Sequence, residues 1–203
     1  MNQFNESALA LVDMDGTLVD YDGAMKASLE ALRGPTEDVW EGPRQTEPDH
    51  IFNRQQLIKA DSEWWRKLNK FQLGWDILDV LRSLDFDIMI LTQGPRKNSN
   101  AWKGKLEWCL ENLPDVDVDI TRQKGGRYGR VLVDDFPPYI EQWLKHRPRG
   151  LVVIPAHPWN EDFKHPQTIR YDGTNINEVS NALLYARNRK SGEKSIWQKE
   201  SQK

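Results

Sequence analysis

The sequence predicts an α/β fold, an open parallel sheet with helices on both faces. Three observations carry the expectation. Short, continuously apolar runs alternate with longer segments of helical periodicity, the pattern of strands covered on both faces. Helix candidates lie between and after the runs, as crossovers between parallel strands require. Acids, a hydroxyl and a lysine gather where the runs end, and in open parallel sheets ligands collect at the carboxyl ends of the strands.

The strand candidates are 8–12 (ALALV), 87–91 (DIMIL), 116–120 (VDVDI), 130–133 (RVLV) and 150–154 (GLVVI), and the helix candidates are 75–84, 100–113, 137–146 and 177–187. Together they describe a Rossmann-like core formed by 1–20 and 72–190. Residues 21–71 break the alternation: they hold no convincing strand but carry Trp40, Phe52, Trp64, Trp65 and Phe71 among scattered charges. We read them as a small helical insertion that caps the sheet's active edge. The segment 191–203 is polar and Lys-rich, with Ile196 and Trp197 as its apolar residues, and reads as a disordered tail.

A chain of 203 residues is long enough for a sizeable core. Its 28 Lys and Arg against 31 Asp and Glu leave a formal net charge of -3, which argues against a general nucleic-acid coat protein. The single Cys109 has no internal disulfide partner and reads as a core residue of a helix. No apolar run approaches the roughly 20 residues of a membrane span, and MNQFNESA lacks a basic region followed by an apolar stretch. The expectation is a soluble, cytoplasmic protein.

The chemistry concentrates at the strand ends. LALVDMDGTL runs four apolar residues into Asp13 and Asp15, which alternation along an extended strand places on one face with Met14 on the other. Two carboxylates so close need a cation, a shared proton or full solvation. The second run ends in Thr92-Gln93-Gly94 and the fourth in Asp134-Asp135, with Lys124 in the loop before it. Several acids, one hydroxyl and one ammonium at one sheet edge suit a phosphate held beside a divalent cation.

These residues resemble the four motifs of the haloacid dehalogenase (HAD) type phosphatase superfamily: DxDGT at Asp13, Asp15, Gly16 and Thr17, an apolar strand ending in Thr92, a lysine at Lys124, and the acid pair Asp134 and Asp135. Two further stretches, Thr121-Arg122-Gln123-Lys124 and Gly104-Lys105-Leu106-Glu107-Trp108, resemble the 5'(3')-deoxyribonucleotidase branch. Gln93-Gly94 departs from that branch, which has Ser-Pro after the threonine. The resemblance implies a HAD-like core and a magnesium-dependent phosphomonoesterase acting on nucleoside monophosphates. Asp13 is then the nucleophile and Asp15 the general acid and base. Thr92, Gln93, Lys124, Met14 and Gly16 contact the phosphate. Mg2+ is held by Asp13, the Asp15 carbonyl and the acid pair, with Asp135 the direct ligand and Asp134 behind it.

Other readings stand beside this one. The substrate could be a nucleic-acid 3' end or another small phosphomonoester, or the chain could be a silent nucleotide-binding relative. Thr92 could cap the following helix. The loop 124–130 (KGGRYGR) has the look of a glycine-rich nucleic-acid contact, and His157 with His165 offers too few ligands for zinc. His157 follows the fifth strand and is expected at the pocket rim. Trp64 and Trp65 point about 100° apart on a helix, so one of them, or Trp40, is expected to face substrate.

Overall fold

The computed structural model describes residues 8–41, 46–190 and 192–195. Its six strands, β1 (Leu9–Val12), β2 (Asp87–Thr92), β3 (Asp117–Ile120), β4 (Val131–Val133), β5 (Leu151–Pro155) and β6 (Thr168–Tyr171), form one sheet in the order β3-β2-β1-β4-β5-β6. Every neighbouring pair is parallel, with Leu11 opposite Met89 on one side and Leu132 on the other. The strand order reverses between β1 and β4, the place where such sheets open a crevice.

Seven α-helices are described: α1 (Tyr21–Ala31), α2 (Asp49–Lys59), α3 (Ser62–Arg66), α4 (Gln72–Ser83), α5 (Ser99–Asn112), α6 (Pro137–His146) and α7 (Ile176–Asn188). Leu11, Leu91, Leu132, Val152 and Ile154 project from one face of the sheet into a core closed by Ile140, Trp143 and Leu144 of α6. The alternate residues Ala10, Val12, Val131, Val133 and Val153 are also buried, so both faces are covered, as continuous apolar strands demand. The helices α4 and α7 pack on each other and on the sheet. Cys109 is fully buried, as its helical setting predicts. No helix among the described residues is long and apolar enough to cross a membrane.

The chain divides into two compact units. The described residues of 1–19, 70–93 and 116–203 form the sheet unit, and those of 20–69 and 94–115 form the second. The second unit therefore holds α5, which the sequence reading places with the sheet. There α3 packs closely on α5: a Cβ on Gly104 would lie 2.2 Å from the Ser62 carbonyl oxygen, so only a glycine admits the approach. Trp65 is 2 % exposed and donates to the Lys59 carbonyl at 2.9 Å, while Trp108 donates to the Leu68 carbonyl at 2.9 Å. The helical character expected over 21–71 takes the form of α1, α2 and α3. The tail 191–203 falls outside the described residues except at 192–195.

Close approach also sets the chain that leaves β1. A Cβ on Gly74 of α4 would lie 1.7 Å from the Thr17 carbonyl oxygen. The fold requires that contact, so Gly74→Ala should cost about 1–3 kcal/mol by forcing helix and turn apart, outweighing the gain in helix propensity. Gly126→Ala, whose Cβ would meet nothing within 4 Å, should stay within about 0.5 kcal/mol. Urea denaturation of the two variants measures the difference.

Candidate active site

The turn after β1 winds around one carbonyl. Met14 O accepts from the N–H groups of Thr17, Leu18 and Val19 at 3.2, 2.8 and 3.0 Å, and Gly16 N donates to Val19 O at 3.0 Å. Gly16 takes φ 78°, a conformation that disfavours any side chain. Space reinforces the requirement, because a Cβ there would lie 2.6 Å from Asp135 Oδ2. Asp13 N donates to Val133 O at 2.8 Å, extending the sheet's bonding past β1 and holding Asp13 at its edge.

Lys124 sits in a short 3₁₀ turn before β4 with its side chain 2 % exposed. Its Nζ lies 2.7 Å from Asp13 Oδ1 and 2.9 Å from Asp134 Oδ2, and 4.8 Å over the Tyr139 ring. Burial disfavours the charged ammonium, but the two carboxylates outweigh that cost and raise its pKa above the ordinary lysine value. Burial pushes Asp134 up to about 6, against the pull of Lys124 and the Phe136 N–H, with the Asp13 charge adding to the rise. Asp134 is thus engaged at both oxygens, by Lys124 Nζ and by Phe136 N at 3.0 Å.

Asp135 faces a different set of donors. Trp159 Nε1 donates to its Oδ2 at 3.0 Å, Thr17 Oγ1 lies 3.4 Å from its Oδ1, and Asn160 Nδ2 donates to its main-chain carbonyl at 3.0 Å. One carboxylate oxygen from each of Asp13, Asp134 and Asp135 lies within 4.8 Å of the others, and all three residues are buried. This all-oxygen donor set fits a small hard cation such as Mg2+ and lacks the nitrogen and sulfur ligands that suit zinc. It is also the group of possible metal ligands found among the described residues, and neither His157 nor His165 belongs to it.

The sheet unit also holds Asp15, Thr92, Gln93 and His157. Thr92 ends β2 fully buried, and the cap of α5 falls instead to Asn98, whose side chain accepts from Ala101 N at 3.2 Å. His157 Nε2 is 2.6 Å from Gly16 O. Its ring stacks between Phe71 and Trp159, with centroids at 4.5 and 4.0 Å. The sequence reading did not single out Tyr139, Trp159, Asn160 or Arg170. The segment Trp159-Asn160-Glu161, an indole, an amide and an acid shortly after the apolar run, was the signal available. Trp40, Trp64 and Trp65 belong to the second unit, where Trp65 is in the core and Trp64 and Trp40 are half-buried. In the 124–130 loop Lys124 turns inward and Arg127 pairs with Asp119, while Tyr128 is exposed.

No protein-family model matches the sequence, and no curated protein matches it. Solved structures do share the fold. The HAD-hydrolase YfnB of Bacillus subtilis, in a form bound to magnesium, superposes with a TM-score of 0.53 at 15% identity over 87% of this chain and 98% of its own. A haloacid dehalogenase-like hydrolase of Burkholderia xenovorans gives 0.50 at 18% identity, over 86% and 95%. The fold is the α/β Rossmann-like fold of HAD hydrolases.

Removing the buried ammonium should leave two uncompensated carboxylates at the sheet edge. Lys124→Met should therefore lose about 3–5 kcal/mol of stability in chelator-treated protein, with part of the loss restored by millimolar magnesium. Thermal melting with and without the ion checks both parts.

Proposed function

We propose that this chain is a magnesium-dependent phosphomonoester hydrolase working through an aspartyl-phosphate, with nucleoside monophosphates as substrates. The observation that carries the reading is the buried cluster of three carboxylates, two of them paired with Lys124, at the strand-order reversal. Phosphate monoesters hydrolyse extremely slowly without a catalyst, so a nucleophile, an acid and charge neutralisation must act together.

An Asp13 oxygen attacks phosphorus and the ester oxygen leaves, taking a proton from Asp15. Asp15 then removes a proton from water, whose oxygen attacks the same phosphorus and frees Asp13. Lys124 offsets charge on Asp13 and on the transferring phosphoryl oxygens, and Thr92, Gln93 and the Met14 N–H supply further donors, while Gly16, whose N–H is given to Val19 O, keeps the turn open for the phosphate. A bound magnesium ion would neutralise phosphoryl charge, held by Asp13, the Asp15 carbonyl and Asp135. Asp134, occupied by Lys124 and the Phe136 N–H, supports the position behind them.

The nucleoside part rests on the resemblance of 121–124 and 104–108 to the deoxyribonucleotidase branch and on a ring suited to stack on a base. Of the adjacent tryptophans Trp65 is spent on the core, which leaves Trp64 as the ring for a base. Its Nε1 donates to Ser28 Oγ at 2.9 Å and fixes the indole plane.

Phosphate-release assays test each part. Asp13→Asn should fold and lose turnover. Asp15→Asn should lose about 10²–10⁴-fold on alkyl phosphates and much less on activated aryl phosphates, whose leaving groups need no proton. Equal losses on both would remove Asp15 from the acid role. Nucleoside monophosphates should show lower KM than sugar phosphates of equal charge, and Trp64→Ala should erase that advantage while sparing p-nitrophenyl phosphate. A wild type that prefers sugar phosphates leaves a general phosphatase and ends the nucleotidase reading.

A further inference from the structure

The carboxylate cluster is backed by a group of side chains that none of the catalytic roles above uses. Phe71, His157 and Trp159 form a three-ring stack, with interplanar angles of 16° and 14° and centroids 4.5 and 4.0 Å apart. Two polar ends of this stack meet the candidate metal centre. His157 Nε2 is 2.6 Å from the Gly16 carbonyl; a carbonyl can only accept, so the imidazole donates from Nε2. Trp159 Nε1 donates to Asp135 Oδ2 at 3.0 Å.

The loop that carries the rings is itself fastened. Asn160 is fully buried and uses both ends of its amide. Its Nδ2 donates to the carbonyls of Asp135 and Pro155 at 3.0 and 2.9 Å, and its Oδ1 accepts from His157 N and Arg170 Nε at 3.0 and 3.1 Å. Arg170, on β6, also donates to the His157 carbonyl at 3.2 Å. A loop tied at this many points cannot slide, so the indole N–H is aimed at one oxygen of Asp135.

We propose that Trp159 is a positioning residue for the divalent cation: its indole N–H fixes the Asp135 carboxylate, and the Phe71–His157 stack with the Asn160–Arg170 bonds fixes the indole. The proposal rests on the magnesium reading of the carboxylate cluster. Its chemistry favours an indole. The Nε1–H is a donor with no lone pair, so it orients a carboxylate without competing for the ion. Donors that hold metal-ligating groups from behind typically contribute 10–100-fold to metal affinity.

The test is calorimetric titration of magnesium into the wild type and Trp159→Phe, which keeps a ring in the stack and removes the N–H. Affinity should fall at least about tenfold. The melting temperature in chelator should change by no more than about 2–4 °C, and kcat at saturating magnesium should be kept within a few-fold. His157→Phe, which keeps the stack and loses the bond to Gly16, should shift magnesium affinity in the same direction by a smaller factor, and it carries the test if Trp159→Phe does not fold. Unchanged affinity in either folded variant overturns the positioning role and leaves the magnesium reading intact. A loss of kcat at saturating magnesium that tracks a lowered melting temperature makes the stack structural and also overturns it. A wild type that binds no magnesium overturns the metal reading and the proposal together.

Discussion

Three strand-end segments meet in one ion-paired group: a lysine ammonium buried between Asp13 after β1 and Asp134 after β4. Neither carboxylate would be tolerable in that position alone, because an isolated charge without water costs several kcal/mol. Nor would the ammonium. The mutual arrangement makes a charged, water-poor edge possible at the place where the strand order reverses, and the 3₁₀ turn that delivers Lys124 is positioned by the same sheet that delivers its partners. Buried ion pairs seldom add net stability. What this one provides is a set of charges fixed before any ligand arrives.

The surroundings follow from that requirement. Apolar residues on both faces of β1 and β4 keep the strands rigid up to their last residue, so the acids emerge from a fixed base. Gly16 is needed because its positive φ and the nearness of Asp135 leave no place for a side chain. Gly74 lets a helix lie against the same turn from behind. Two glycines thus give the carboxylates their spacing by what they lack.

Much of this was legible in the sequence. Four strands announce themselves as apolar runs and β3 as an apolar and acidic alternation, and the site acids stand at strand ends, where periodicity and a short motif agree. The sixth strand was not legible: in Thr168-Ile169-Arg170-Tyr171 only two residues are apolar, because an edge strand is half solvated and its arginine serves the loop beside it. The helix α5 was visible as a helix, but its grouping with 20–69 depends on Gly104 meeting α3, a contact between distant positions that no local pattern encodes. The stack of Phe71, His157 and Trp159 was hidden for the same reason. His157 alone could be suspected from its place after β5, while its neighbours in the stack come from tertiary structure.

The second unit is drawn from two stretches of chain, 20–69 and 94–115, separated by α4 and β2 of the sheet unit. Its principal helix contact, α3 with α5, therefore joins partners that follow different strands. Neither stretch carries that contact by itself. A chain made from its N-terminus must emerge through residue 112 before α3 meets its partner, and by then β1 and β2 have both been synthesised. The chain between α3 and α5 holds α4 and β2, so forming those two elements shortens the flexible length that must be closed to bring α3 and α5 together, and lowers the entropy cost of their contact. The connectivity therefore ties completion of the helical unit to the formation of elements that belong to the sheet unit.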